Sequence, residues 1–244
     1  MKRSILILIL LFISNVAFSQ TMVIKNIDGQ LVGNKLNQIA KFFFIDETVL
    51  DVEGNEYKII IIGKQIWMAE NLKVTKYRNG NDITDVWAYN NNENNVSDYG
   101  RLYSWHEVNK HVTESDSGYC IAPEGWHIPT HAEWEELAQY ISDDNGGYSM
   151  SLGDWSDVGT HLKSNSGWNS DGNGTDDYGF TGLPAGDRGS NGIFYNIENI
   201  ASFWSASQIS ADVALCRRLY YNMSRFDLEY APKETGCSVR CVRD

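Results

Sequence analysis

The stretch PTHAEWEELAQYI, Pro129 to Ile141, constrains the fold more than any other in the chain. Thr130 is followed three residues later by Glu133, the capping-box spacing in which the Thr hydroxyl accepts from the N3 amide and the Glu carboxylate accepts from the N-cap amide. Pro129 and Trp134 take the staple positions. A helix is therefore predicted from Thr130. Trp134, Leu137, Ala138 and Ile141 recur at i, i+3, i+4 and i+7, one apolar stripe that must be buried against something else, and SDDNGG closes the segment. Most of what can cover it reads as strand. VLDVEGNEYKIIIIGKQIWMAENL, from Val49, sets Val-, Ile- and Trp-rich runs between EGN and GKQ turns and predicts a β-meander. FYNIENIASFWSAS, DVALCRRLYYNMS, RFDLEYA and GCSVRCVRD predict further strands. YGRLYSWHEVNK places Leu102, Trp105 and Val108 at helical spacing, a short second helix. Trp67, Trp126, Trp134 and Trp204 are expected in the core.

The helix start also removes a tempting metal site. His127 and His131 lie four residues apart, but the cap falls between them, so one helical face does not present both as a zinc pair requires. His127 is expected to be partly buried beside Trp126 and His131 to be solvated. Glu133, Glu135 and Glu136 read as the cap and the solvated face of the helix.

Residues 1–19 read as a signal peptide: Lys2 and Arg3, an apolar run from Ile5 to Ile13, then Ala17-Phe18-Ser19 as a small-x-small cleavage site. Nine residues rise only about 14 Å as a helix, against a hydrocarbon core of about 30 Å. The expected mature chain is secreted or periplasmic, without membrane insertion. Losing Lys2 and Arg3 lowers its formal charge from −12 to −14, because the leader holds no Asp or Glu. Such a surface repels phosphate backbones, so nucleic acid is not an expected partner. Residues 20–45 form a lead-in whose Met22 to Ile24 and Phe42 to Ile45 suit strands around an IDGQ turn; residues 46–244 form the main domain.

Export places Cys120, Cys216, Cys237 and Cys241 where disulfides persist. If GCSVRCV runs as one strand, Cys237 and Cys241 are about 13 Å apart along it, beyond the Cα separation of about 7 Å that a bridge tolerates. Cys120 to Cys241 with Cys216 to Cys237, or the crossed arrangement, remains.

Residues 143–192 hold twelve of the 21 glycines together with Trp155, Trp168, Tyr178 and Phe180, too aromatic for a linker. A structured loop excursion is predicted, the kind of region that carries binding sites. Within it SDGNGTDDYGF alternates oxygen donors: Asp171, Asn173 and Thr175, with Asp176 and Asp177 behind them, a candidate calcium set. It opens like an EF-hand loop and then departs, with Asp176 at the sixth position and Gly182 at the twelfth. The competing reading is a turn whose side chains bond their own backbone. Trp155, Trp168, Tyr178 and Tyr195 are the candidate ligand contacts, with Tyr220, Tyr221 and Tyr230 on the strands beneath; core packing is the competing use of such rings. No GxSxG, Walker, or HExxH pattern occurs, and no catalytic residue is assigned.

The runs YKIIIIGKQIWMAENLKVTKYRNG, YGRLYSW, CIAPEGWHIPTHAEWEEL, GTDDYGFTGLPAGDR, FWSAS and GCSVRCVRD resemble, in this order, the major paralogous domain family first named for Fibrobacter succinogenes, over residues 46–244, about four-fifths of the chain. More distantly, IPTHAEWEEL, FWSAS and SVRCV resemble signatures of the formylglycine-generating and sulfatase-modifying-factor group. That resemblance implies an α+β, C-type-lectin-like fold with two short helices, a small twisted antiparallel sheet and a long irregular loop region. It also implies the nested bridges Cys120 to Cys241 and Cys216 to Cys237. The expected function is a non-enzymatic binding or adhesion module recognising an extracellular glycan or protein surface through the loop region. The alternatives are an enzyme related to the formylglycine-generating group and a purely structural cell-surface protein.

Overall fold

In the computed structural model the described residues are 20–25, 41–46, 48–110, 118–150 and 153–244. The leader, the IDGQ turn and residues 151–152 of the excursion lie outside them. The chain divides into two units, residues 1–46 and 47–244. In the first, β1 (Gln20–Lys25) and β2 (Lys41–Asp46) pair antiparallel, with Gln20 opposite Asp46 and Lys25 opposite Lys41.

The second unit is mostly β. β3 (Thr48–Leu50), β4 (Glu56–Ile62) and β5 (Gln65–Met68) form the meander that the EGN and GKQ turns announce. Gly63, at φ +61°, sits in the two-residue β4–β5 turn, a conformation that favours glycine. β15 (Val242–Arg243) adds to β5, and β8 (Trp126–His127) adds to β15, completing a five-stranded sheet. The second sheet has eight strands. Its centre is β11 (Ile200–Gln208), flanked antiparallel by β12 (Val213–Tyr220) and parallel by β9 (Ala185–Arg188) and β14 (Cys237–Ser238). β10 (Phe194–Ile197) extends it beyond β9 and β13 (Asp227–Pro232) beyond β12; β7 (Leu102–Tyr103) and β6 (Val86–Trp87) extend it beyond β14.

These two curled sheets overturn the expected α+β, C-type-lectin-like fold with its small sheet. Five of the strands that enlarge them, β6, β7, β8, β14 and β15, are two residues long. A pair of residues carries no readable alternation, so backbone pairing made them strands where side-chain pattern had nothing to show. Leu102 accordingly belongs to β7, and the helix read around it shrinks to α2 (Trp105–Val108). Preceding them is α1 (Val96–Tyr99). GCSVRCVRD is likewise not one strand: β14 lies in one sheet, β15 in the other, and residues 239–241 cross between them.

Thr130 does cap a helix, α3 (His131–Asn145), with both capping-box bonds formed and Gly146, in the left-handed region, ending it. A five-residue α4 (Val158–Leu162) follows. The α3 stripe is buried, and Trp134 packs against Trp67 at 4.6 Å and against Phe180, Phe203 and Phe226. Trp67, Trp126, Trp134 and Trp204 are all buried. A second cluster gathers Tyr57, Leu72, Tyr103 and all four cysteines.

Crossing between the sheets, the chain carries Arg240 to full burial. Its Nε donates to Asn71 Oδ1 at 2.6 Å, its Nη1 to the carbonyls of Met68 at 3.2 Å and Phe180 at 2.5 Å, and its Nη2 to that of Thr181 at 2.9 Å. The guanidinium stacks on Phe180 at 4.4 Å. This one side chain ties the glycine-rich excursion to the crossing segment.

Candidate functional site

The outer side of α3 meets the excursion at a pair of tyrosines. Tyr140 lies off the apolar stripe and is 44% exposed; its ring approaches that of Tyr178 edge-on at 6.2 Å. Tyr178 is fixed from its hydroxyl, which donates to Asp144 Oδ2 at 2.6 Å and accepts from Asn145 Nδ2 at 2.8 Å. Burial and the bond to Asp144 push the Tyr178 phenol up to about 12, so it remains a donor at physiological pH. Beside it His161 Nδ1 lies 2.5 Å from Asp177 Oδ2, and the bonds from Thr175 and His161 hold the Asp177 carboxyl low. Tyr140 also walls a cavity of ≈ 200 Å³ with Lys64, Glu136, Gln139 and Asp143, where Gln139 donates to Asp143 at 2.7 Å. Aromatic rings thus adjoin carboxylates, an amide and an ammonium group. Of these groups the sequence pointed to Tyr178 as a ligand contact, to Asp177 as a calcium donor and to Glu136 as part of a solvated helix face. Tyr140 was legible as an aromatic off the stripe of an amphipathic helix.

The other candidate contacts are dispersed. Trp155 and Trp168 are 4% and 6% exposed. Trp155 Nε1 donates to Glu135 at 3.3 Å, and Trp168 Nε1 to Ser164 Oγ at 3.0 Å and the Gly182 carbonyl at 3.1 Å, so both rings face the interior. Tyr195 is 40% exposed on β10, where its hydroxyl accepts from Asn191 at 2.8 Å. Tyr220 and Tyr221 are half-buried, and Tyr230 is exposed on β13.

Most of the candidate calcium donors are engaged in hydrogen bonds within the protein. Asn173 Oδ1 accepts from the Trp168 amide at 3.1 Å. Asp176 accepts from the Thr181 amide and hydroxyl at 2.6 and 3.0 Å. Thr175 donates to Asp177 at 2.7 Å, and Asp171 stands exposed at φ +59°. Among the described residues no group of three His, Cys, Asp or Glu is placed to hold a metal ion.

The four cysteines fall into two neighbourhoods. Burial, then a hydrogen bond with Cys216, raises the Cys237 thiol far above its ordinary range; burial, then the neighbouring Cys120, does the same to Cys241. All four cysteines are buried and are thiols in the structure. Two other expectations change. His131 is half-buried with Nδ1 unpartnered, and burial lowers its basicity. Glu135, read as solvated, accepts from the buried Arg217 guanidinium as well as from Trp155. His127 is half-buried as expected, and gains two partners: Nε2 lies 2.6 Å from Glu133 Oε1 and Nδ1 2.6 Å from Asp244 Oδ1.

The strands and this rim make up a two-sheet β domain. The chain belongs to the Fibrobacter succinogenes major domain family, matched over residues 60–243. No curated protein and no solved structure matches it.

Proposed function

We propose that this domain is an exported, disulfide-bonded binding module that recognises a glycan through the rim formed by α3 and the excursion. The observation that carries this is the Tyr140–Tyr178 pair: Asp144 and Asn145 fix the Tyr178 hydroxyl, and Tyr140 lines a cavity with Lys64, Glu136, Gln139 and Asp143. Sugar rings stack on such faces, and their hydroxyls exchange hydrogen bonds with carboxylates and amides. The leader supports export, and the two cysteine neighbourhoods support bridges Cys120 to Cys241 and Cys216 to Cys237.

A glycan array followed by calorimetry tests the reading. Tyr140→Ala is expected to weaken binding about tenfold, as for a central aromatic anchor, with little change in melting temperature. Silence across all glycans, or unaltered affinity in Tyr140→Ala and Tyr178→Ala, counts against it.

A further inference from the structure

A second surface lies at the β9–β10 hairpin, away from the tyrosine rim in sequence and built on different chemistry. Arg188 ends β9 and is half-buried. Its guanidinium carbon stands 4.0 Å from the Trp87 ring centroid and 5.9 Å from that of Phe194, the residue directly across the hairpin. Its backbone is clamped as well, exchanging hydrogen bonds with Gly236 at 2.9 and 2.7 Å. The chain is therefore fixed at both ends of this side chain.

What the guanidinium lacks is an acceptor. Among the described residues, Arg78, Arg101, Arg217, Arg218 and Arg225 each pair with a carboxylate, Arg240 donates to an amide oxygen and three carbonyls, and Arg243 lies exposed on β15. Arg188 makes no side-chain hydrogen bond and no ion pair with any described residue, although the chain carries 32 Asp and Glu against 20 Lys and Arg. Gly192, at φ +84°, leaves the edge of the fork uncovered; a Cβ there would stand 3.1 Å from Nη2. Stacking has already removed most of the side chain's freedom, so an incoming anion orders little more.

We infer that Arg188, stacked on Trp87 and Phe194 with its fork unpaired, receives a sugar carboxylate, so that this hairpin binds uronic-acid units of an acidic glycan. The planar fork matches a carboxylate through two parallel N–H···O bonds, which a hydroxyl or an ester does not reproduce. The choice of a sugar as the bearer of that carboxylate rests on the reading of the domain as a glycan binder; the site itself does not involve Tyr140 or Tyr178.

Calorimetry on the mature protein with trigalacturonate, its fully methyl-esterified form and a glutamate-rich peptide of the same charge tests this. The acid is expected to bind, and the ester, which keeps the rings but not the charge, at least about tenfold more weakly, as for loss of a charge-assisted pair. Arg188→Gln and Arg188→Lys should both lower affinity for the acid, the lysine variant because it keeps the charge and loses the fork. Tyr140→Ala should leave it unchanged. Equal affinity for acid and ester, no binding of the acid, or wild-type affinity in a folded Arg188→Gln protein overturns the inference. Peptide binding without trigalacturonate binding overturns it in favour of a protein partner. Neutral glycans binding through Tyr140 while trigalacturonate stays silent would leave the tyrosine rim standing and remove the Arg188 site alone.

Discussion

Two arginines in this molecule lie against aromatic rings at nearly the same distance, Arg240 over Phe180 at 4.4 Å and Arg188 over Trp87 at 4.0 Å. Arg240 is wholly buried and all its bonds go to the protein's own oxygens; burial with only neutral acceptors in contact pulls its pKa down to about 9. Arg188 is half-buried, and its guanidinium has no hydrogen-bond or ion-pair partner among the described residues. Stacking alone therefore does not tell a structural cation from one held ready for a ligand. The acceptors do.

Arg240 belongs to a belt that fastens the last residues to the rest of the domain. Next to it Cys241 adjoins Cys120, and beyond that Asp244 meets His127. If the belt is structural, its strongest element is the proposed outer bridge. Closing a loop of that length stabilises by about 5 kcal/mol on a chain-entropy model, and the shorter Cys216 to Cys237 loop by about 3. Reductant should lower the denaturation midpoint sharply, and mass spectrometry of the non-reduced digest should return the nested pairs. Four unpaired sulfurs would break this half of the comparison.

Arg240→Met comes next. It leaves buried acceptors at Asn71, Met68, Phe180 and Thr181, and about 3 kcal/mol of stability should be lost in urea or guanidinium denaturation. Arg188→Gln, by contrast, should change stability by less than about 1 kcal/mol, the size of a half-exposed cation–π contact. Similar losses in both variants would erase the distinction between the two arginines.

A smaller effect should appear with pH. The hydrogen bond to Glu133, reinforced by Asp244 and opposed by burial, raises His127 above its ordinary 6.5. The folded state therefore favours the imidazolium, which donates to both carboxylates. That contribution is complete below pH 6.5 and disappears as pH rises through the higher folded value. Asp227 behaves alike at lower pH: burial, then Asp154, raises its carboxyl from 3.8 to about 6, so its contribution fades as pH climbs through about 6. Denaturation midpoints from pH 6.5 upward should fall more steeply for the wild type than for His127→Gln. Parallel curves would detach His127 from the belt.

Legibility followed the range of each interaction. Helix α3 was readable down to its cap because Thr130, Glu133 and the apolar stripe act within four residues of one another. The β3–β5 meander was readable for the same reason. The two-residue strands were not, since they exist only where distant backbone arrives to pair with them. Of the tyrosine pair, Tyr178 was singled out in the sequence and Tyr140 passed over, although its place off the stripe was visible. Trp155 and Trp168 show the opposite case: composition drew attention to rings that the core took in.

The sequence by itself determined the helix, the meander and the EGN and GKQ turns, because each depends on neighbours along the chain. Only the tertiary structure decided that the last residues cross from one curled sheet to the other, that Cys216 meets Cys237 and Cys120 meets Cys241, and that Arg240 is paired while Arg188 is open. Those outcomes depend on which side chains and carbonyls far apart in the sequence come to lie within a few ångströms, and no local pattern encodes that.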